Sequence, residues 1–427
     1  MNVVTRIAPS PTGYLHFGLA RTALFSYLYA KKHGGTFIVR IEDTDVARNK
    51  PEYESDIDEQ LAWLGLNADK RFRQSEHRAR HTECLRMLID KDLAYESTEP
   101  AKDDPTKMVT VIRLRNKGEE IAFTDEIRGE IRFDTTELGD FVIARAIDDP
   151  LYHLAVVIDD NDEGVTHIIR GDDHISNTPR HILLQRALGF PTPRYAHIPL
   201  ILMADRSKMS KRKHESAVKA YREKGILPEA MINYLALLGW NPGGEREIFS
   251  LSELVDIFEI EKVHKSGAVF NEEKLLWFNH EYLRALSDND FLQKLSEFSS
   301  NPVDPRLAPL LKERARTLKE AAELIGSEFG FLSHAAPTAE LLLKGAKADA
   351  GTAKRHLAHV HELLESASDF SNGSVKEIVF PYADEKGRAS VLWPLRVALT
   401  GMEKSPDPFI SASLLGKEET LTRISAA

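Results

Sequence analysis

The chain of 427 residues contains a single cysteine, Cys84, so it can form no internal disulfide bond and offers no cysteine cluster for a structural zinc ion. It has no run of about 20 apolar residues, the length that a membrane-spanning helix needs. The segment Met1–Arg6 lacks the basic-then-apolar pattern of a secretory signal. These absences predict a cytoplasmic protein without membrane contact, and Cys84 is interpreted as a small core residue.

Two common nucleotide-binding signatures are also missing. The sequence has neither a GxxxxGK[ST] loop nor a GxGxxG turn after a strand. Its net charge of −10 argues weakly against a nucleic-acid partner, although local patches rather than total charge govern such contacts. The composition, 42% hydrophobic and 29% charged, is ordinary for a globular protein, and a chain of this length is expected to form about two to four domains.

The first 45 residues predict a strand, a turn-rich loop, a helix and a second strand. Val3–Ala8 is apolar and β-branched, and Leu19–Lys32 has apolar residues at three- and four-residue spacing. Gly34 and Gly35 end this helix, and Thr36–Ile41 follows as the second strand. Such a unit is typical of the start of a doubly wound α/β fold with a parallel sheet.

Beyond this unit, the pattern changes twice. Short β-like runs separated by charged turns predict an α+β insertion at residues 95–150. Further strands are then predicted at Val156–Ile158, Thr166–Ile169 and His197–Met203, and the pattern is mostly helical after Ala217. The predicted domains are residues 1–94 and 151–216 for the two halves of a catalytic domain, 95–150 for the insertion, 217–285 for a helical connecting region and 286–427 for a final helical domain.

Two motifs carry the strongest chemical signal. Ala8–Gly18 (APSPTGYLHFG) is a loop that leads into a helix, and the free N–H groups of a helix start favour phosphate. Gly18 lets a nucleotide approach the backbone, and His16 can donate to phosphate oxygens. Lys208–Arg212 (KMSKR) follows a strand, and its lysines can neutralise charge as pyrophosphate leaves. Either motif alone is common, but the ordered pair indicates ATP chemistry.

The two motifs resemble the HIGH and KMSKS signatures of class I aminoacyl-tRNA synthetases. The segments RIAPSPTG, GGTFIVRIEDTD, THIIRGDDHISNTPRHIL, PEAMINYLALLGW and PLRVALTG resemble the glutamyl-tRNA synthetase family in particular, and the resemblance covers nearly the whole chain. The related glutaminyl enzymes usually carry a Pro-Glu-Pro-Asn version of the first loop, which Pro9–Thr12 does not match.

The resemblance implies a doubly wound parallel-sheet catalytic domain whose α+β insertion binds the tRNA acceptor end, followed by a mostly helical half with an anticodon-binding domain. It implies ATP-dependent ligation of L-glutamate to the 3′ end of tRNA(Glu) through a glutamyl-adenylate. ATP and Mg²⁺ are then required, no structural zinc is expected, and no protein residue is assigned as a metal ligand. Whether tRNA(Gln) is charged as well, which would require a downstream amidotransferase, stays open.

The resemblance also assigns the site residues. The glutamate pocket comprises Arg6, Ala8, Ser10, Glu42, Tyr152 and Arg170. The catalytic residues are His16, Gly18, Lys208 and Lys211, and ATP also meets Asp173, Lys211 and the backbone near Ile201. Arginines suit the substrate carboxylates and Glu42 suits its ammonium group. From the residues alone, each could instead be structural: surface arginines, a helix-capping acid, a core tyrosine.

Some features depart from the family pattern or leave alternatives. Leu19 occupies the fourth position of the HIGH-like motif, which is the one feature that favours a binding module without catalysis. A relative that glutamylates a tRNA base is a further alternative, and the long C-terminal half argues against it. The stretch His356–Phe370 contains no arginine, so Arg355, Arg396 and Lys417 are the candidate readers of the third anticodon base.

Overall fold

The computed structural model describes residues 2–45, 47–101, 104–207, 209, 217–333 and 337–427. The predicted catalytic lysines Lys208 and Lys211 lie outside the described residues. The chain divides into two compact units, Met1–Tyr282 and Leu283–Ala427. The finer domain division given above remains a prediction. Within the described residues, no helix is both long and apolar enough to cross a membrane.

The first 285 residues contain thirteen described strands and nine described α-helices. The strands are β1 (Val4–Ile7), β2 (Thr36–Ile41), β3 (Lys70–Arg73), β4 (Ala94–Pro100), β5 (Met108–Leu114), β6 (Glu120–Asp125), β7 (Gly129–Asp134), β8 (Phe141–Ala146), β9 (Asp149–Pro150), β10 (His167–Gly171), β11 (Arg194–Ile198), β12 (Ile201–Leu202) and β13 (Ala268–Val269). The helices are α1 (Phe17–Lys32), α2 (Pro51–Trp63), α3 (Arg78–Asp90), α4 (Tyr152–Asp162), α5 (Thr178–Leu188), α6 (Val218–Glu223), α7 (Pro228–Leu237), α8 (Leu251–Ile257) and α9 (Glu272–Ala285).

The main sheet has seven strands in the order β3-β2-β1-β10-β11-β6-β7. All neighbours are parallel except the hairpin β6–β7, which is antiparallel. The carboxyl ends of β1, β2, β10 and β11 therefore meet at one edge, where ligands of open α/β sheets bind. The predicted fold class is confirmed: a parallel-sheet α/β domain followed by a helical C-terminal half.

The insertion does not form a core of its own. Strands β4, β5, β8 and β9 make a separate antiparallel sheet, whereas β6 and β7 join the main sheet beside β11. Buried side chains of the insertion, such as Ile112 and Ile143, belong to one apolar cluster with Cys84 on α3 and Leu154 on α4. Cys84 is fully buried, as predicted. The insertion therefore contributes both to the core and to the main sheet.

Two strand predictions were wrong. Val156–Ile158 lies in helix α4, because a short, fully buried apolar run looks the same in a strand and in a buried helix. The predicted strand His197–Met203 is interrupted between β11 and β12 at Pro199, which has no N–H group for a ladder hydrogen bond.

The second unit is helical. Its elements are α10 (Asp288–Leu295), α11 (Ala308–Arg314), α12 (Leu318–Ser327), α13 (Ala339–Lys344), α14 (Ala350–Glu365), α15 (Asn372–Lys386), α16 (Arg388–Thr400), α17 (Pro408–Leu415) and α18 (Lys417–Ala426). An apolar cluster that includes Val360, Val379, Leu395 and Phe409 forms its core.

Candidate active site

A buried cluster of opposite charges lies where β1 and β2 meet α4. Arg6 binds Asp160 through two hydrogen bonds, with Nε–Oδ1 at 3.1 Å and Nη2–Oδ2 at 3.3 Å. Arg40 donates from Nη1 to Asp160 Oδ1 at 2.6 Å and from Nη2 to Glu42 Oε1 at 3.3 Å. All four side chains are buried, so each charge depends on its partners. The cluster places the predicted pocket residues Arg6 and Glu42 together.

The charges of this cluster follow from burial and pairing. Burial alone would raise the pKa of Asp160, but Arg40 and Arg6 hold the pKa below its ordinary value. Burial raises the pKa of Glu42, and Arg40 and Arg6 only partly oppose that rise. Glu42 is therefore the carboxylate that an additional cation would stabilise most. An α-ammonium group of an amino acid has the required charge.

Arg170 lies at the end of β10, and neutral acceptors surround it. Its Nε donates to His197 Nε2 at 3.2 Å, and its Nη1 lies 3.2 Å from His181 Nδ1. Its Nη2 donates to Thr178 Oγ1 at 2.9 Å and to the carbonyl oxygen of His174 at 3.4 Å. None of these partners is a carboxylate, so the positive charge of Arg170 is available to a substrate.

The histidines around Arg170 stay uncharged near neutral pH. Burial, followed by neighbouring arginines, lowers the pKa of His153 and of His174 to about 4. Burial and then Arg170 lower the pKa of His181 well below its ordinary value. Burial also lowers the pKa of His197, although a hydrogen bond to Asp125 opposes this shift. The imidazoles therefore accept or donate hydrogen bonds without adding charge.

Three further predicted pocket residues lie in loops or at a helix start. Tyr152 begins α4, and its hydroxyl oxygen lies 3.3 Å from His174 Nδ1. Burial and then the charge of Glu42 raise the pKa of Tyr152 to about 12, so the hydroxyl is neutral. Ala8 is half-buried and Ser10 exposed in the loop after β1. Glu42 N donates to Pro9 O at 2.8 Å, which fixes this loop beside the charged cluster.

We call the region around His16, Gly18 and Ile201 the nucleotide side. His16 caps α1, because its Nδ1 accepts a hydrogen bond from Leu19 N at 3.2 Å. A Cβ atom on Gly18 would lie only 3.2 Å from the His16 ring. The fourth motif position thus contributes a backbone N–H group, and its leucine side chain does not prevent the cap.

The chain on either side of residues 210–216 returns to the nucleotide side. Met209 N donates to Ile201 O at 3.2 Å. Ala217 forms an antiparallel bridge with His16, and Val218 N donates to Leu15 O at 2.9 Å. These described neighbours of Lys208 and Lys211 lie against the two predicted ATP-binding segments.

Asp173 is exposed in a short 3₁₀ turn, Asp172–Asn177, that follows β10. A side chain on Gly171 would collide with its carboxylate, so the glycine allows Asp173 to fold back over the strand end. The neighbouring Asp172 pairs with Arg128 of the insertion at 2.7 Å. The structure thus places Asp173 at the same sheet edge as Arg170.

Several residues of the site were missed by sequence reasoning. They are Arg21, Arg40, Asp125, Asp160, His181 and His197. Strand alternation could have identified Arg40, because residues 40 and 42 share a face. Arg21 on α1 donates to Leu238 O at 2.8 Å and to Pro199 O, and burial lowers its pKa to about 10. The contacts of Asp125 and Asp160 join distant segments, which no local pattern reveals.

The architecture and the paired motifs define a class I tRNA synthetase, and two family models agree. The model described as "tRNA synthetases class I (E and Q), catalytic domain" matches residues 2–108 and 98–277. The model described as "Anticodon binding domain" matches residues 272–427. Enzymes of this class use ATP as a substrate.

Similar proteins narrow this class. A glutamate–tRNA ligase of Geobacter sulfurreducens is 42% identical, covering 100% of this chain and 98% of that relative. Glutamate–tRNA ligase 1 of Alkalilimnicola ehrlichii is 39% identical, covering 100% and 97%. The solved structure of a glutamate tRNA ligase from Elizabethkingia meningosepticum in complex with its amino acid is 32% identical with a TM-score of 0.88, covering 100% and 99%. The chain therefore belongs to the glutamate–tRNA ligase family, and the predicted family is confirmed.

Proposed function

We propose that this chain ligates L-glutamate to the 3′ end of tRNA(Glu) with ATP. The observation that carries the proposal is the set of buried charged side chains at the sheet edge. There the carboxylate of Glu42 can hold the α-ammonium group, and Arg6 and Arg170 can hold carboxylates. Family membership supports the same substrate, because the similar proteins are named as glutamate–tRNA ligases.

The reaction proposed has two steps. In the first, an oxygen of the glutamate α-carboxylate attacks the α-phosphorus of ATP, the bond to pyrophosphate breaks, and glutamyl-adenylate forms. In the second, the 2′-hydroxyl oxygen of the terminal adenosine attacks the glutamyl carbonyl carbon. The bond to AMP then breaks, and the hydroxyl proton passes to the leaving phosphate or to solvent. Glutamyl-tRNA and AMP are the products.

The predicted site residues have different tasks in these two steps. Glu42, Arg6 and Arg170 orient glutamate, and the start of α1 with His16 receives phosphate oxygens. We propose that Lys208 and Lys211 neutralise the charge that develops on pyrophosphate. Mg²⁺ is proposed as part of the ATP substrate, because it balances phosphate charge. Asp173 and the backbone at Ile201 are proposed to contact the nucleotide.

The insertion and the second unit are proposed to bind the tRNA acceptor end and the anticodon. Of the three candidate base readers, Lys417 donates to Ala367 O at 2.8 Å and Arg396 donates to Glu403 O at 3.0 Å. Arg355 is exposed on α14 and contacts Thr352 Oγ1 at 2.9 Å. Arg355 is therefore the candidate that can reach a base with least rearrangement.

We propose that the enzyme also charges tRNA(Gln), leaving the product for an amidotransferase. The helix α14 after Arg355 presents histidine and acidic residues rather than arginine, which suits solvent better than a base. This secondary proposal concerns tRNA choice alone and leaves the amino acid choice untouched.

One experiment tests both proposals. Purified protein, ATP, Mg²⁺ and labelled glutamate are incubated with purified tRNA(Glu) or tRNA(Gln) of the same source. Glutamyl-tRNA(Glu) should form, and the two tRNAs should be charged with comparable efficiency. Failure to charge either tRNA contradicts the ligase assignment. A preference of about 1,000-fold for tRNA(Glu), the size of a specific protein–nucleic acid discrimination, contradicts only the secondary proposal. Arg355→Ala then shows whether Arg355 affects the ratio.

A further inference from the structure

A continuous line of buried hydrogen bonds runs from the insertion to the glutamate pocket. His197 on β11 lies opposite Arg170 on β10 in the register of the sheet. Arg170 Nε donates to His197 Nε2 at 3.2 Å, and His197 Nδ1 lies 2.6 Å from Asp125 Oδ2 at the end of β6. All three side chains are buried. Asp125 is thus separated from Arg170 by a single imidazole ring.

The chemistry of the partners fixes the tautomer of His197. An arginine can only donate, so the Nε2 atom that faces Arg170 must carry a lone pair. The ring hydrogen is then on Nδ1, where it is donated to the Asp125 carboxylate. Burial opposes ionisation of Asp125, yet its hydrogen bonds from His197 and from backbone N–H groups lower its pKa, so it is charged. Asp125 therefore orients the imidazole ring, and the ring in turn orients the Arg170 side chain.

Asp125 is itself held rigidly by the main chain. Its Oδ1 accepts from Ile127 N at 3.0 Å and from Arg128 N at 2.8 Å, in the turn between β6 and β7. Its Oδ2 accepts from His197 N at 3.0 Å. These bonds tie the carboxylate to its own turn and to β11. A fixed carboxylate gives the imidazole one orientation.

We propose that Asp125 is a positioning residue that fixes Arg170 through His197 and thereby favours glutamate over glutamine. This inference rests on the proposed function. Its physical basis is that the hydrogen bonds of Arg170 are satisfied by imidazole, hydroxyl and carbonyl groups, which leave its charge intact. A carboxylate in direct contact would neutralise that charge and reduce the advantage of a charged substrate over a neutral amide.

The Nη1 and Nη2 atoms of Arg170 are also held by neutral acceptors. Arg170 Nη1 faces His181 Nδ1, so His181 carries its hydrogen on Nε2, which lies 3.1 Å from His153 Nδ1. Thr178 and the His174 carbonyl accept from Nη2. The described contacts occupy the Nε hydrogen, both Nη2 hydrogens and one Nη1 hydrogen. The second Nη1 hydrogen is assigned to the substrate carboxylate, and it points correctly only while the other bonds hold.

Two substitutions of His197 test the roles of its two ring nitrogens separately. His197→Gln keeps an acceptor close to the Nε2 position and loses the Nδ1 donor. His197→Asn keeps a donor close to the Nδ1 position and leaves Arg170 Nε without an acceptor. Aminoacylation by the full chain is measured with glutamate and with glutamine, and the ratio of the two kcat/KM values is the readout. We expect His197→Asn to lower the ratio by about tenfold or more, the size expected for losing a hydrogen bond to a charged group. We expect His197→Gln to lower the ratio several-fold, because the remaining acceptor is no longer fixed by Asp125.

Asp125 is tested by introducing Asp125→Asn into the wild-type protein and into the His197→Gln variant. In the wild-type background the ratio should fall several-fold, with the loss chiefly in the KM for glutamate. In the His197→Gln background the same change should have little additional effect, because the connection is already broken. Thr166→Val is the control for general loss of stability, because it removes the hydrogen bond that Val4 N donates to Thr166 Oγ1 at the other end of β10.

The outcomes separate this inference from the function itself. If wild-type protein charges tRNA with glutamate but both His197 variants lose kcat equally and keep the wild-type ratio, the positioning role is wrong. An unchanged ratio in folded Asp125→Asn protein also overturns it. If Asp125→Asn does not fold, His197→Gln still decides, because a wild-type ratio in this variant would show that the link to Asp125 is not needed. If wild-type protein charges no tRNA with glutamate, the proposed function fails first.

Discussion

In the proposed glutamate pocket, side chains hold other side chains, whereas the described contacts of the nucleotide side are made mostly by the main chain. Arg6, Arg40 and Arg170 each make several hydrogen bonds to buried partners from other elements. His16 is instead held by the start of α1, where its ring accepts a hydrogen bond from Leu19 N. Ile201 is held by a hydrogen bond that its carbonyl oxygen accepts from Met209 N. The pocket is therefore organised before substrate arrives, and the nucleotide side is built from segments that join at their backbones. Mutations should consequently affect the two regions differently.

The largest expected effect is that of Arg170→Gln. Removing this guanidinium leaves the substrate carboxylate without its charge partner and disrupts four hydrogen bonds within the pocket. The kcat/KM for glutamate should fall by about 1,000-fold, in the range seen when one partner of a buried charge pair is truncated. The preference for glutamate over glutamine should collapse with it. Aminoacylation with both amino acids measures this.

Arg186→Gln is the matched control, because Arg186 lies on α5, the helix that also carries Thr178 and His181, but pairs with Glu119 at the surface. It should behave like the wild type. If Arg170→Gln keeps full selectivity for glutamate, Arg170 does not contact the substrate carboxylate, and the preorganised pocket has another purpose.

The second prediction concerns the nucleotide side. Lys211→Ala should lower kcat by about 100-fold or more, because a donor that acts in the transition state contributes on the order of 3 kcal/mol. The KM for glutamate should change little, since the pocket is held by its own side chains. Pre-steady-state adenylate formation with bound tRNA measures the affected step.

Lys224→Ala provides a control, because Lys224 is an exposed lysine paired with Glu272 at 2.9 Å. A normal kcat with only a raised KM for ATP in Lys211→Ala would indicate that this lysine binds ground-state ATP. The nucleotide side would then differ from the glutamate pocket in the substrate that it binds, and Lys211 would not act in the transition state.

How far the sequence predicts the molecule differs between the same two regions. The start of the fold was predicted closely, because β1, α1 and β2 have clear periodicity and clear end signals. His16, Gly18 and Glu42 were predicted as site residues because they belong to local motifs. The side chains that hold Arg170 were not predicted. His181 and His197 contact it directly and Asp125 binds His197, and the three residues come from three elements that no local pattern joins. The strand predicted at Val156–Ile158 failed for a related reason, since burial on all sides hides periodicity.

The third prediction is a pH dependence in the pocket. Burial raises the pKa of Glu42, and only its ionised form attracts the α-ammonium group. The KM for glutamate should therefore rise as pH falls through the range above the ordinary carboxyl pKa of about 4.3. Glu42→Gln should show a KM about tenfold higher near neutral pH and no such dependence. Steady-state kinetics across this range test it, and parallel profiles for the two proteins would contradict it.

The raised pKa of Glu42 also predicts how the stability of the fold changes with pH. Between the unfolded pKa of about 4.3 and the raised folded pKa, the native state holds more protons than the unfolded state. The contribution of Glu42 to stability is therefore complete below the unfolded pKa and is lost as pH rises through the folded pKa. The midpoint temperature of thermal unfolding of the wild type should therefore fall with rising pH, relative to that of Glu42→Gln.

The smallest expected effect is that of Tyr152→Phe, and it measures how far the pocket depends on charge. The pKa of Tyr152 is raised to about 12, so the hydroxyl is neutral at working pH and can offer one ordinary hydrogen bond. Losing such a bond costs about 1 kcal/mol, which corresponds to a roughly fivefold higher KM for glutamate with kcat unchanged. The effect should not vary between about pH 6 and 9, in contrast to that of Glu42. A loss of about 100-fold with reduced selectivity would contradict this. It would mean that the hydroxyl, 3.3 Å from His174 Nδ1, holds the segment whose carbonyl accepts from Arg170.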